Sequence, residues 1–95
     1  MATLLIIHEV EDVELWLSSP RRDELFTPLG ITARPFRDPG GSNRVGLIAE
    51  VPDVAAWHEV RATSQAIEAM ELDGLRRETI VELIEARGWP SSSER

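Results

Sequence analysis

The sequence predicts an α+β fold with four strands and two helical regions in the order βαββαβ. Three observations carry that expectation. Four apolar runs have the length and β-branched content of strands: LLIIHEV near residues 3–10, ITARPF near 30–38, RVGLIAEV near 43–51 and ETIVELI near 77–86. Two strings of one design, DVELW from Asp12 and DVAAW from Asp53, open the helical regions with an aspartate where the first free helix amides need an acceptor. Proline and glycine mark the joints at Pro28, Gly30, Gly40-Gly41, Pro52 and Gly74.

The first run is apolar on both faces at its start and alternates toward Val10. Asp12 then caps a helix with Val13, Trp16 and Leu17 at helical spacing. Ser18-Ser19-Pro20 interrupts it, and Ser19 with Pro20 supplies the cap and first position of a second short helix, PRRDELF. Beyond Gly30, Ile31 and Ala33 alternate against Thr32, Arg34 and Phe36. Pro35 cannot donate to a sheet ladder, so this strand belongs at an edge or a bulge. DPGGSN turns the chain. Arg44 to Val51 returns as a strand with Val45, Leu47, Ala49 and Val51 on one face and Arg44, Gly46, Ile48 and Glu50 on the other. Asp53 starts a helix carrying Val54, Trp57, His58 and Arg61 on one side. Thr63-Ser64 offers a second cap, which leaves open one kinked helix or two in succession. After Gly74, the succession Thr79, Ile80, Val81 favours a strand over the helix that ETIVELIEARG would also permit. Residues 1–88 then form one domain and 89–95 a tail. Two right-handed crossovers put both helical regions on one face of a four-stranded antiparallel sheet, the ferredoxin-like split βαβ arrangement. The opposite face, with Phe36 and Ile48, is too apolar to stand in water, and a second copy packed against it is the simplest cover.

The 95 residues are 42% hydrophobic and 28% charged, the balance of a folded chain rather than a disordered one. The absence of cysteine excludes disulfides, thiolate nucleophiles and thiolate metal sites, so stability rests on packing. Seventeen acidic against ten basic residues, all of the latter arginine, give a charge of −7, which argues against a nucleic-acid partner. A sheet of this topology can recognise RNA, but only with exposed aromatics amid positive charge; there is no tyrosine, and the phenylalanines are Phe26 and Phe36. No run approaches the roughly 20 residues of a membrane span, and Leu4 to Ile7 is too short and lacks the basic leader of a signal peptide. The expected location is cytoplasmic. The two histidines have no partners at metal-ligand spacing, and Gly40-Gly41 lacks the helix and lysine of a phosphate loop.

Among single residues, His8 is the first catalytic candidate, because an imidazole titrating near neutrality can take a proton and return it. Its parity with Leu4, Ile6 and Val10 puts it on a face as suited to packing under the helices as to lining a cleft, so a buried, hydrogen-bonded structural histidine competes with that role. His58, on the helix face of Val54 and Arg61, is the second candidate, against a reading as a half-buried rim residue. Trp16 and Trp57 each follow their capping aspartate by four residues, where an indole packs down on the sheet as core or walls a pocket on which an aromatic ligand stacks. Arg34, Phe36 and Ile48 share one sheet face, and an arginine beside an apolar wall suits a phenolate or carboxylate. Equally, Arg34 or Arg44 can pair with Glu50 across the hairpin or with an acidic residue of a second subunit. Arg61 joins the ligand-binding candidates through its place beside His58.

The strand LLIIHEVED followed by the Trp of VELW, the hairpin ending in NRVGLIAEVPDVAAW, and the segment SQAIEAMELDGLRRETIVELIE together resemble the dimeric α+β barrel superfamily over roughly residues 3–86. Within it they are similar to the small proteins related to antibiotic-biosynthesis monooxygenases. The resemblance implies a homodimeric α+β barrel with a pocket between each sheet and its own helices or at the barrel's centre. Members of the group include cofactor-independent oxygenases acting on electron-rich aromatic compounds, haem-degrading enzymes and small cyclases. The haem-degrading pattern wants an Asn near the start, a Trp in the second helical region and a His farther along it. This chain has Asn43 in a turn as its only Asn, and His58 directly after Trp57, so no haem ligand is carried over.

The function expected is a homodimer that binds a small hydrophobic or aromatic molecule without a cofactor. The alternatives are a cofactor-independent monooxygenase or cyclase acting on an aromatic or polyketide-like compound, and a structural or interaction protein. A hollow above about 300 Å³ faced by a histidine or arginine would favour chemistry, and solid packing around both histidines would favour structure.

Overall fold

A computed structural model describes residues 1–86 of the chain. Its strands are β1 (Ala2–Val10), β2 (Thr32–Arg37), β3 (Arg44–Val51) and β4 (Leu75–Ile84), and its helices are α1 (Val13–Ser18), α2 (Arg21–Phe26), α3 (Val54–Arg61) and α4 (Ser64–Leu72). A 3-10 turn, Thr27–Leu29, follows α2 and ends at Gly30 with φ 70°, a backbone state open to glycine without a steric penalty. The expected tail, residues 89–95, lies outside the described residues. Among the described residues, no helix is long and apolar enough to cross a membrane.

Each helix start has a chemical cause. Asp12 accepts from the amides of Glu14 and Leu15, Asp53 from Ala56, and Thr63 from Ala66. The Thr63 cap resolves the second helical region into two helices. At the first break, the Arg21 amide donates to Ser19 Oγ, but Pro20 stays outside α2 and occupies the capping position itself.

The sheet has the order β2-β3-β1-β4, with antiparallel neighbours throughout and the helices on one face. Pro35 does sit on an edge strand, where its missing amide removes nothing from a central ladder. Alternation divides the faces. Leu4, Ile6, Val10, Val45, Leu47, Ala49 and Val51 are buried under the helices with Trp16, Phe26, Ile31 and Trp57. Leu5, Phe36, Val81 and Leu83 are exposed on the opposite face.

The expected α+β barrel requires correction. The sheet is open, because β2 and β4 lie at its two ends and do not pair with each other. The reason is geometric: closing a sheet on itself at normal strand tilt takes about eight strands around a side-chain core, and this chain supplies four.

One irregularity shapes the interior. Ile7 faces Val81 and Glu9 faces Arg76, so the stretch from Arg77 to Ile80 bulges opposite His8. The Glu9 amide left without a strand partner donates to Thr79 Oγ1 at 2.9 Å, and the same hydroxyl donates to the Arg76 carbonyl at 2.5 Å. At the end of the bulge, Ile80 packs against the core.

Candidate functional site

Between the helices and the sheet lies a hollow of about 80 Å³. Ile6, His8 and Leu47 floor it from the sheet, and Trp16, Phe26 and Trp57 wall it from the helices. Both tryptophans are therefore core and wall at once, each nearly buried. The volume is well below the roughly 300 Å³ at which pockets for drug-sized ligands begin, so only a small guest fits without movement of the wall.

His8 is 3% exposed and meets Trp16 edge to face, with ring centroids 5.5 Å apart and planes at 79°. Burial pushes its pKa down from 6.5 to about 4; the backbone of Glu9 works in the opposite direction, and the positive charge of Arg22 lowers it further. Nδ1 has no hydrogen-bond partner. The expectation of a buried histidine holds, while the hydrogen bond expected with it is not made at Nδ1. The usual device that fixes a histidine tautomer, a bond to the second ring nitrogen, is missing at this atom.

Two arginines border the hollow. Arg22 lies over the Trp16 ring, 4.9 Å from its centroid, and donates to the Trp16 carbonyl at 3.4 Å. Arg61 is tied to Glu82. Three donors of α3 converge on that carboxylate: Trp57 Nε1 at 3.1 Å and Arg61 Nη1 at 2.5 Å reach Oε1, and His58 Nε2 lies 2.6 Å from Oε2. Arg61 shares a helix face with Trp57 at i,i+4 and with His58 at i,i+3, so all three can reach one carboxylate from adjoining sides of α3. Burial works to raise the Glu82 pKa, yet the hydrogen bonds from His58 and Trp57 and the charges of Arg61 and His58 outweigh it, leaving the carboxyl below its usual 4.5. A second carboxylate, the buried Asp73, accepts from Ser19 Oγ at 2.6 Å and Arg21 Nη1 at 2.8 Å, tying α2 to the end of α4.

The eight residues expected from sequence thus fall in three places. His8, Trp16, Trp57 and Arg61 border the hollow. His58 lies outside it, on a groove of about 440 Å³ between α3, α4 and β4. Arg34, Phe36 and Ile48 belong to the opposite sheet face, as cross-strand pairing of Arg34 with Ile48 and Phe36 with Gly46 requires. Arg34 stands 5.7 Å from the Phe36 ring centroid, and the Glu50 carboxylate accepts from Thr3 Oγ1 at 2.8 Å, so the pairing considered across the hairpin is not formed.

Sequence reasoning missed Glu82, Arg22 and Asp73. Glu82 did leave a signal: it shares strand parity with Ile80 and Ile84, and a lone carboxylate among apolar neighbours on a covered face needs donors opposite it. Arg22 left none, since its reach to the hollow depends on where α2 lands. Among the described residues, no group of three His, Asp or Glu side chains is placed to hold a metal ion.

No family model matches the sequence, and no curated protein matches it. Solved structures do match the fold. An antibiotic biosynthesis monooxygenase superposes with a TM-score of 0.60 at 17% identity, covering 93% of this chain and 99% of its own. A Mycobacterium tuberculosis protein gives 0.54 at 13% identity, covering 93% and 96%. A protein of Deinococcus radiodurans, proposed to be an antibiotic biosynthesis monooxygenase, gives 0.51 at 13% identity, covering 93% of each chain. At such identities the likeness is one of fold alone.

Proposed function

We propose that the chain binds a small aromatic molecule in the hollow between helices and sheet, as a homodimer joined through the open sheet face. One observation carries the ligand reading: a neutral imidazole without a partner at Nδ1 stands at the wall of an apolar hollow. A buried polar atom left unbonded typically costs about 1–3 kcal/mol. Because the protein does not bond Nδ1, the ring can take either tautomer and offer a donor or an acceptor to a phenol or carbonyl. Trp16 and Trp57 would supply the stacking surface.

Binding is a better fit than proton abstraction. With a pKa of about 4, charging His8 at pH 7 costs ~4 kcal/mol, whereas an efficient general base titrates near the working pH. A second reading, a cofactor-independent monooxygenase or cyclase, draws on Arg22 and Arg61 beside the hollow, where they could hold an ionised substrate.

Titration with a panel of phenols and aromatic acids, followed through the indole N–H signals of Trp16 and Trp57 by nuclear magnetic resonance, tests the binding reading. Saturable shifts at those two indoles, reduced at least tenfold in affinity by His8→Leu, are expected. Shifts confined to other residues, or none at millimolar ligand, would remove the hollow as a site. Oxygen uptake by the complex would favour the second reading.

A further inference from the structure

The inner hollow and the outer groove share a wall. Arg61, Met70 and Ile80 line both, so a space of about 80 Å³ and one of about 440 Å³ adjoin at these three side chains. Two of the three can swing aside without moving backbone. Met70 is unbranched and adaptable. Arg61 is half-buried, and its recorded ionic tether is Glu82. The larger space has the dimensions of a small-molecule site; the smaller one does not.

The groove also departs from the electrostatics of the rest of the chain. In a protein of charge −7, its lining includes His58, Arg61 and Arg77 and no acidic residue. Arg77 is exposed and has no ion-pair partner among the described residues. Glu82 reaches His58 and Arg61 from the strand and neutralises part of that charge, which leaves Arg77 as the uncompensated cation. The remaining lining, Ala62, Ile67, Met70 and Ile80, is apolar. A cationic mouth leading over apolar side chains toward an apolar hollow fits a ligand with one anionic end and one apolar end.

We propose that groove and hollow are one site for an aromatic carboxylate, with Arg61 as its gate. The carboxylate docks on Arg77 and draws Arg61 away from Glu82, forming the paired, charge-assisted bonds that arginine makes with carboxylates. As Arg61 leaves the shared wall and Met70 yields, the ring passes Ile80 toward Trp57 and His8. His58 then remains on Glu82, so the half-buried carboxylate keeps a partner while the gate is open. The proposal rests on the reading of the hollow as a ligand site and adds the ligand's charge, its entry route and two residues, Arg77 and Glu82.

The test is calorimetric titration of the full chain with 2-naphthoate and its uncharged counterpart 2-naphthylmethanol. Naphthoate should bind at least tenfold more tightly. Arg77→Gln should remove most of that preference and leave the alcohol's affinity unchanged. Glu82→Gln, which removes the ligand's competitor for Arg61, should tighten naphthoate binding severalfold. Ala69 of α4 also lines the hollow, so Ala69→Leu, which fills it, should weaken both ligands, with circular dichroism checking that each variant is folded. Equal affinities for acid and alcohol, with a ratio that Arg77→Gln does not change, would overturn the anionic groove and leave aromatic binding in the hollow standing. Naphthoate binding that depends on Arg77 but is untouched by Ala69→Leu would overturn the joined site and the hollow together. Binding of neither ligand at millimolar concentration would overturn both proposals.

Discussion

His8 concentrates most of the residue-scale tension in the molecule. An imidazole on a strand parity otherwise held by Leu4, Ile6 and Val10 is folded into the core in its neutral form, at 3% exposure and with Nδ1 unbonded. Its pKa falls from 6.5 to about 4, so between those values the unfolded chain binds a proton that the folded chain refuses. Stability from this residue is therefore complete above pH 6.5 and is lost progressively as pH falls toward 4. Between pH 7 and pH 5 the loss should be about 2 kcal/mol at roughly 1.4 kcal/mol per unit. The charged residues that border the same hollow are Arg22, Arg61 and Asp73; Glu82 is held below 4.5, so its own contribution is lost only at lower pH. Urea unfolding at pH 7 and pH 5 measures the slope, and His8→Gln should flatten it whatever that variant does to absolute stability. Equal slopes in the two proteins would mean that the imidazole is not buried neutral.

At the scale of elements, α3 assigns neighbouring residues opposite fates. The Asp53 cap sets its phase, and Trp57 then turns inward against Phe26, with ring centroids 5.4 Å apart and planes at 80°, while the His58 side chain stays half exposed at 51%. Trp57→Ala should accordingly cost about 3–5 kcal/mol through the void it leaves. His58→Ala should cost under about 1 kcal/mol, since an exposed ion pair contributes little and Arg61 and Trp57 still bond Glu82. Denaturation of both variants at one fixed protein concentration compares them, and a large loss for His58→Ala would mean that the imidazole anchors the Glu82 cluster. This asymmetry was legible in the sequence, because caps and helical period are local. The same holds for the four strands, the edge position marked by Pro35 and the face shared by Arg34, Phe36 and Ile48. The bulge in β4 was not legible: it depends on the Thr79 hydroxyl meeting the Glu9 amide 70 residues away. Nor was the convergence on Glu82, where a strand residue meets three donors of a helix 21 to 25 residues earlier. Local patterns set which face a residue takes, whereas the partner it meets there is decided by how the helices settle on the sheet.

At the scale of the whole molecule, the two sheet faces pose different problems. The helices cover one, but the other exposes an apolar belt in two rows: Leu83, Leu5 and Ile48 lie opposite one another across β4, β1 and β3, with Val81, Ile7 and Gly46 beside them and Phe36 opposite Gly46 on β2. Leu83 and Val81 are each about half exposed, at 52% and 50%, and Phe36 is 46% exposed. A contiguous apolar surface on a small soluble chain ordinarily marks an interface, and a stable one buries about 1,200 Å² or more in total. Self-association through this face needs no second partner, and it would bury Arg34 and Phe36, the expected ligand-binding residues that lie away from the hollow. Sedimentation at micromolar concentration should give about twice the chain mass of 10.6 kDa. Leu83→Asp should shift that species to monomer, because a carboxylate in the middle of an apolar interface must be desolvated without a partner. It should leave the fold in place, since Leu83 lies off the core cluster. Leu72→Asp is the control: Leu72 is also exposed, at 55%, but sits at the end of α4, so the dimer should persist. A 10.6 kDa species from the unaltered chain, or dissociation by Leu72→Asp alone, would move the interface off this face and return Phe36 and Leu83 to open solvent.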